Sequence, residues 1–138
     1  MKYTELKDKI QREVNAFPMQ FAFSKKQFAE GMEKLGLDPE KDLDKACRIP
    51  GGGFIRKTDN EAFQKMFLRH DCEMAEAMQD DVFLVDAIHY ELANHEYCIT
   101  YDPDDALSAL GLSLSDERIK RCYGIARKEY LIACECYA

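Results

Sequence analysis

The chain has no tryptophan, only four prolines and no long apolar run. No segment approaches the roughly 18 to 20 apolar residues that a membrane-spanning helix needs, so we expect no membrane association. The segment MKYTELKDKIQREV is charged and lacks the apolar stretch of a secretory signal. These absences predict a soluble protein of the cytoplasm.

No Cys-x-x-Cys pair occurs among the six cysteines, which argues against a structural zinc site, since such a site needs two pairs. In a reducing cytosol we expect most of these cysteines to be buried thiols. Hydrophobic residues make up 46% of the 138-residue chain, enough to argue against disorder. We therefore expect a single domain, residues 1–138, with a sizeable core.

Lysine and arginine are missing between His70 and Asp105, whereas the whole chain contains 19 of them. The same segment carries eleven carboxylates, more than the net charge of -7 for the entire molecule. Solvated helices usually mix charges of both signs, because pairs one turn apart stabilise them by about 0.2 to 0.5 kcal/mol each. Dense like charge destabilises a compact state, so this segment indicates either a positively charged partner or an acidic face that is simply solvated.

The spacing of apolar residues and caps predicts a mainly α fold, with α+β left open. The predicted helices cover residues 3–15, 24–35, 38–46, 58–79, 81–97, 102–111 and 115–138. The segments MQFAFS and GGFIRK favour at most a small β-hairpin around residues 19–24 and 53–57. The expected architecture is one compact helical domain.

Acidic side chains on adjoining helices would lie several Å apart, roughly as phosphates do along a nucleic-acid strand. Such a surface fits a groove lined by Arg and Lys. Exposed ion pairs contribute only about 0 to 1 kcal/mol each, so an aromatic anchor is expected beside them. The predicted partner-binding residues are Asp71, Glu73, Glu76, Asp80, Asp81, Asp86, Tyr90, Glu91, Glu96, Tyr97, Tyr101, Asp102, Asp104 and Asp105.

A metal site is the alternative interpretation of part of this segment. Asp86-x-x-His89 and Glu91-x-x-x-His95 place carboxylate and imidazole about one helical turn apart, as helical metal sites do. Such sites draw ligands from several helices, and His70 is the only other histidine. We therefore expect no metal and no cofactor, and keep Asp86, His89, Glu91 and His95 as the alternative ligands.

The glycine-rich segment IPGGGFIRKTD resembles known loops only superficially. It lacks the G-x-x-x-x-G-K-[ST] spacing of a phosphate-binding loop. A calcium-binding loop would need oxygen ligands where Arg48, Pro50 and Gly52 stand. The segment predicts a tight turn or hairpin before a capped helix.

No local signature of a catalytic nucleophile is present, so we predict no catalytic residues and no enzymatic activity. Tyr123, Tyr130 and Tyr137 recur every seven residues and so share one helix face. Such a face favours a core seam, and it leaves a homodimer open.

Three segments, NAFPMQFAFSKKQFAEGMEKLGL, GGGFIRKTDNEAF and YELANHEYCITYD, together resemble a family of short, uncharacterised acidic proteins. Members of that family are encoded by bacteriophages and mobile elements of Firmicutes-type bacteria. The resemblance implies a phage or mobile-element setting and a bacterial host cytoplasm. It supplies no activity and no site residues.

The acidic segment and this setting lead to one functional hypothesis. The chain would bind and inhibit a host nucleic-acid-handling defence protein, as anti-CRISPR and anti-restriction proteins do. Its acidic surface would mimic nucleic acid in the partner's basic groove, for example in a CRISPR effector, and the chain itself would bind no nucleic acid. The alternatives are a metal-binding enzyme or sensor, and a structural or regulatory phage protein.

Overall fold

The computed structural model describes residues 1–135, and within them the fold is mainly helical, as predicted. A small three-stranded sheet interrupts the helices. The helices are α1 Tyr3–Ala16, α2 Lys25–Lys34, α3 Asn60–Ala77, α4 Asp81–Asn94, α5 Tyr97–Thr100, α6 Asp104–Ala109 and α7 Glu117–Glu135.

The sheet is antiparallel, with strand order β1-β3-β2. Its strands are β1 Gln20–Phe21, β2 Ala46–Ile49 and β3 Gly53–Arg56. The β2–β3 turn contains Gly51 and Gly52, whose φ angles of 85° and 82° favour glycine. The predicted β element at both segments is confirmed, since β1 pairs with β3.

The structure differs from the prediction between residues 38 and 46. The Asp38 carboxylate accepts two capping hydrogen bonds, from the N–H groups of Glu40 and Lys41, at 2.8 and 2.9 Å. The following residues form only a 3₁₀ turn, Leu43–Lys45, before β2 begins at Ala46. A longer helix did not form because the residues that would extend it belong to β2, which pairs with β3. Capping at Asp38 was therefore not sufficient to make residues 38–46 helical.

The chain divides into two compact units, and we name each by its content. The acidic unit consists of Met1–Lys9 and the chain from Glu73 onward, and the sheet unit is Ile10–Cys72. By sequence, the acidic unit contains sixteen carboxylates and eight Lys or Arg residues, whereas the sheet unit contains ten and eleven. All of the excess negative charge therefore belongs to the acidic unit. The expectation of a single domain stays a prediction.

The core of the acidic unit lies chiefly between α4 and α7. Leu84, Ile88 and Leu92, which recur at helical spacing along α4, are fully buried. Their partners on α7 include Ala126 and Tyr130. The predicted tyrosine face thus contributes to the core through Tyr130 and the partly buried Tyr123, while Tyr137 lies outside the described residues.

The core of the sheet unit is smaller and joins α2 to β3 through Met32, Leu35 and Phe54. Gly31 allows the close approach, because a Cβ atom there would lie 2.7 Å from the Phe54 ring. The ring of Phe28 packs beside that of Phe54, with centroids 5.0 Å apart. This arrangement fixes one side of α2 on the sheet.

Across residues 1–135, no helix has the length and apolar character needed to cross a membrane. Of the cysteines, Cys122 is buried, whereas Cys72 and Cys98 are exposed. The expectation of mostly buried thiols is therefore wrong for those two, because each lies on a solvent-facing part of its helix. Cys136 lies outside the described residues.

Candidate functional site

Asp81, at the start of α4, is compensated by two arginines of α7. The Nε atom of Arg118 lies 2.7 Å from one Asp81 oxygen, and Arg121 lies 3.2 Å from the other. The hydrogen bond from Arg118 is the largest cause that lowers the pKa of Asp81 below its usual value. The segment that lacks bases in sequence thus receives them from residues about 40 positions away.

Two further acids near this point have structural roles. Asp80 is the N-cap of α4, and its carboxylate accepts the N–H of Val82 at 2.8 Å. Glu73 lies 3.1 Å from the Nζ atom of Lys9. Glu76 is exposed, and so is Asp71, which belongs to the sheet unit.

Glu91 was predicted to contact a partner, but it is 2% exposed, which excludes it from the surface. Its carboxylate accepts a hydrogen bond from the Tyr3 hydroxyl at 2.8 Å, and Lys7 lies 3.5 Å away. Burial raises the pKa of Glu91, but the bonds from Tyr3, Asn94 and Lys7 outweigh it and leave the pKa lowered. Glu91 therefore holds the start of α1 on α4 as a charged, satisfied group.

Asp86 supports the same contact, since it accepts the backbone N–H of Tyr3 at 2.8 Å. That N–H is one of the groups at a helix start that lack a partner within the helix. Tyr90, 38% exposed, packs against the Tyr3 ring, and Lys7 lies over its ring at 5.1 Å. This part of the predicted surface is engaged within the acidic unit.

The alternative metal ligands do not converge. His95 lies 3.3 Å from Glu91, whereas His89 packs edge-on against Tyr130 and Asp86 binds the Tyr3 backbone. His89 and Glu91 are two residues apart on a helix, so they point in nearly opposite directions. Over the part of the chain that the structure describes, no group of three or more His, Cys, Asp or Glu side chains is placed to hold a metal ion.

Besides Glu76 and Asp71, the predicted acids that remain available lie at the junction of α5 and α6, which we call the acidic corner. Within residues 1–135, none of its carboxylates has a Lys, Arg or His within ion-pair distance. Two large apolar side chains are exposed between them, Ile99 at 71% and Tyr101 at 63%. The acidic corner consists of Glu96, Ile99, Tyr101, Asp102, Asp104 and Asp105.

The backbone of the acidic corner is held in an uncommon conformation. Glu96 and Tyr101, on either side of α5, have left-handed φ angles of 55° and 53°. Such residues cost on the order of 1 kcal/mol or more each and persist only where the surroundings enforce them. Asp102 fixes the next turn by accepting the N–H of Asp104 at 2.9 Å.

Tyr97 anchors the acidic corner to the core and is itself 3% exposed, so it is not the surface anchor that the sequence predicted. Its hydroxyl accepts hydrogen bonds from the Arg127 guanidinium at 2.8 Å and from the Tyr123 hydroxyl at 3.0 Å. Burial, followed by that bond to Tyr97, raises the pKa of Tyr123. Tyr101 packs edge-on against Tyr97 and stays exposed, as predicted.

Sequence reasoning missed Ile99 and the paired left-handed residues. Ile99 belongs to the largely apolar run YCIT, and such a run is typical of a buried segment. In the structure these residues form the short helix α5, and the Ile99 side chain is exposed. The two left-handed residues are not glycine, so no sequence signal marked them.

Comparison with known proteins places the chain in one family. A family model described as a family of unknown function, DUF7659, matches residues 2–129, and the chain therefore belongs to that family. No curated protein and no solved structure matches the chain. The description of the family names no activity, so a functional assignment depends on the geometry of the acidic corner.

Proposed function

We propose that this member of the DUF7659 family is a non-enzymatic binding protein whose acidic corner occupies a basic, nucleic-acid-binding groove on another protein. The observation that carries the proposal is the group of four unpaired carboxylates around exposed Ile99 and Tyr101. Unpaired charge beside exposed apolar surface is costly to a protein that binds nothing, and complementary to a cationic groove with an apolar floor.

Charge and apolar contact have separate roles in this proposal. An exposed ion pair contributes about 0 to 1 kcal/mol, so four carboxylates alone give modest affinity. Their field mainly accelerates encounter with a cationic partner and is reinforced by the net charge of the acidic unit. Burial of Ile99 and Tyr101 would supply most of the affinity, at about 1.5 to 3 kcal/mol for a large apolar side chain.

The backbone conformation of the acidic corner favours binding. The left-handed residues and the Tyr97 anchor hold Ile99 and Tyr101 outward before any partner arrives. A surface that is already ordered loses less conformational freedom on association, and this strengthens binding for the same contacts.

The partner class we propose is a host nucleic-acid-handling defence protein. The negative charge of the acidic corner favours a basic partner. The resemblance to proteins of phages and mobile elements is the reason for choosing a host defence protein among basic partners. Guide-loaded CRISPR effectors and restriction nucleases are the first partners to test, because both bind nucleic acid in basic channels.

The test measures how strongly the purified protein inhibits target cleavage by a panel of guide-loaded effectors and restriction nucleases. A quadruple variant, Glu96→Gln with Asp102→Asn, Asp104→Asn and Asp105→Asn, removes the charge, while the amide oxygen introduced at position 102 still accepts the backbone N–H of position 104. We expect the variant to inhibit at least about tenfold more weakly than the wild type. Its inhibition should also decrease less than that of the wild type when the salt concentration rises from about 50 to about 200 mM.

The matched control removes four exposed carboxylates elsewhere: Glu5, Glu30, Glu33 and Asp44. Equal weakening in the control would mean that only net charge matters, and the acidic corner would not be the site. A panel in which the wild-type protein inhibits and binds no member would overturn the defence-inhibitor proposal.

A further inference from the structure

The sheet unit contains an open groove with a cavity volume of about 920 Å³. It runs beside the start of α2 and the β2–β3 hairpin, and Phe28 and Phe54 form an apolar wall. This volume lies within the roughly 300 to 1,000 Å³ of small-molecule sites. The groove belongs to no part of the acidic corner.

Phe23, at the edge of this groove, is 80% exposed. Its ring lies against the hairpin turn, where a Cβ atom on Gly52 would come within 2.8 Å of it. The glycine therefore leaves room for a flat ring that gains little from burial. An exposed ring next to an apolar wall offers a stacking surface for another flat group.

The charged groups of the groove are Lys25, Arg48 and Glu40. All three are exposed, and none has an ion-pair partner among residues 1–135. Two cations favour an anionic group such as a phosphate, and Arg binds phosphate oxygens in pairs. A carboxylate is a good acceptor for ribose hydroxyls.

We propose that this groove binds a ribonucleotide, with the base stacked on Phe23, the phosphate at Lys25 and Arg48, and a ribose hydroxyl at Glu40. Aromatic stacking, phosphate charge and hydroxyl recognition are the three features that distinguish a nucleotide from a lipid or an acidic peptide. The ligand is either a free mononucleotide or one unit of a single strand. The proposal departs from the expectation that the chain binds no nucleic acid.

The test titrates the purified full chain with AMP by calorimetry and with labelled decauridylate by fluorescence anisotropy. Phe23→Ala should weaken binding about tenfold, the typical effect of losing one base stack. Its control is Phe21→Ala, because Phe21 is also exposed in this segment but does not line the groove. Lys25→Gln should weaken binding several-fold, whereas Lys26→Gln, one residue away and outside the groove, should change it less than about twofold.

Glu40→Gln separates ribose recognition from charge. The wild-type protein should prefer decauridylate over deoxy-decathymidylate, and the variant should lose most of that preference. Binding of AMP in competition with decauridylate would support the proposal and identify a mononucleotide site. Binding of the oligonucleotide alone would support it and identify a strand.

Two results would overturn the proposal. One is the absence of wild-type binding to either probe at about 1 mM, and the other is equal weakening by Lys26→Gln and Lys25→Gln, which indicates diffuse attraction. Thermal unfolding of each variant confirms that the fold is retained. The acidic-corner quadruple variant should bind both probes as the wild type does, so the failure of either proposal leaves the other standing.

Discussion

Ion pairs in the acidic unit mostly join residues far apart in sequence, His95 with Glu91 being a local exception, whereas those in the sheet unit lie mostly within one helical turn. The acidic-unit pairs join Lys7 to Glu91, Lys9 to Glu73, and Arg118 and Arg121 to Asp81. The local sheet-unit pairs join Lys45 to Asp42, Arg56 to Asp59 and Lys65 to Glu61. The exception in the sheet unit is Glu13, which binds Arg69 and His70.

This difference between distant and local ion pairs indicates which negative charges are compensated only after folding. Local pairs form wherever the helix or turn forms, and they contribute little at the surface. Distant pairs exist only when the tertiary fold brings their partners together. In the acidic unit the fold pairs Glu73, Asp81 and Glu91 with distant bases and leaves the four acids of the acidic corner without an ion pair over residues 1–135, so most of the charge available for a partner lies in that corner.

The largest effect is expected from removing the core that brings the distant pairs together. Ile88 is fully buried between α4 and α7, so Ile88→Ala should lower the free energy of unfolding by about 2 to 5 kcal/mol. Urea denaturation measures the loss. Val82→Ala on the same helix is the control, because Val82 is 80% exposed and should change stability by less than about 0.5 kcal/mol. Similar effects of both variants would contradict the assigned core.

A smaller effect is expected from the buried contact of Glu91. Tyr3→Phe removes the hydroxyl that donates to the Glu91 carboxylate and leaves a buried charged acceptor short of a donor. The expected loss is about 1 to 3 kcal/mol in the free energy of unfolding. Tyr90→Phe is the matched control, because its ring adjoins that of Tyr3 while its hydroxyl has no hydrogen bond within the described chain. A neutral Tyr3→Phe variant would show that Glu91 does not depend on this donor.

The smallest effect is expected at Glu13 of the sheet unit, which pairs with the distant residues Arg69 and His70. The hydrogen bond from His70, followed by that from Arg69, lowers the pKa of Glu13 from 4.5 to about 2. Between pH 4.5 and about pH 2, the Glu13 carboxylate stays charged in the native state, whereas it binds a proton in the unfolded state. The contribution of Glu13 to the free energy of unfolding is therefore complete above pH 4.5 and is lost as the pH falls through about 2. Glu13→Gln should therefore lose less stability than the wild type over this window.

Unfolding by urea across that pH window tests the expectation. Glu30→Gln serves as the control, since Glu30 is an exposed carboxylate of the same unit without a side-chain hydrogen bond in the described residues. Parallel pH profiles for the wild type and Glu13→Gln would mean that the pair with His70 and Arg69 does not persist in solution.

Much of the fold was predictable because its signals are local. The predicted start of α2 is confirmed by Ser24, whose hydroxyl accepts the Gln27 N–H, and its end by Gly36 with a φ angle of 77°. The inward face of α4 followed from the spacing of Leu84, Ile88 and Leu92. The helix predicted for residues 38–46 is wrong because β2 pairs with a strand that local spacing does not reveal.

The candidate site was predictable only in outline. The sequence predicted acids and tyrosines over 36 positions, and the structure leaves Tyr101, Glu96 and the Asp102–Asp105 turn exposed while it buries Glu91 and Tyr97. A shift of one residue turns a helical side chain by about 100°, so exposure depends on which neighbour each face meets. Ile99 was missed for the same reason.

By itself, the sequence determined the charge inventory, the helical content and most helix ends, because composition and capping act over a few residues. Tertiary structure alone decided which carboxylates are compensated, since Arg118, Arg121 and Lys7 reach their partners only after distant helices have packed. It also decided which are left to solvent. Coulombic pairing depends on distance in space, and distance in space is what folding creates.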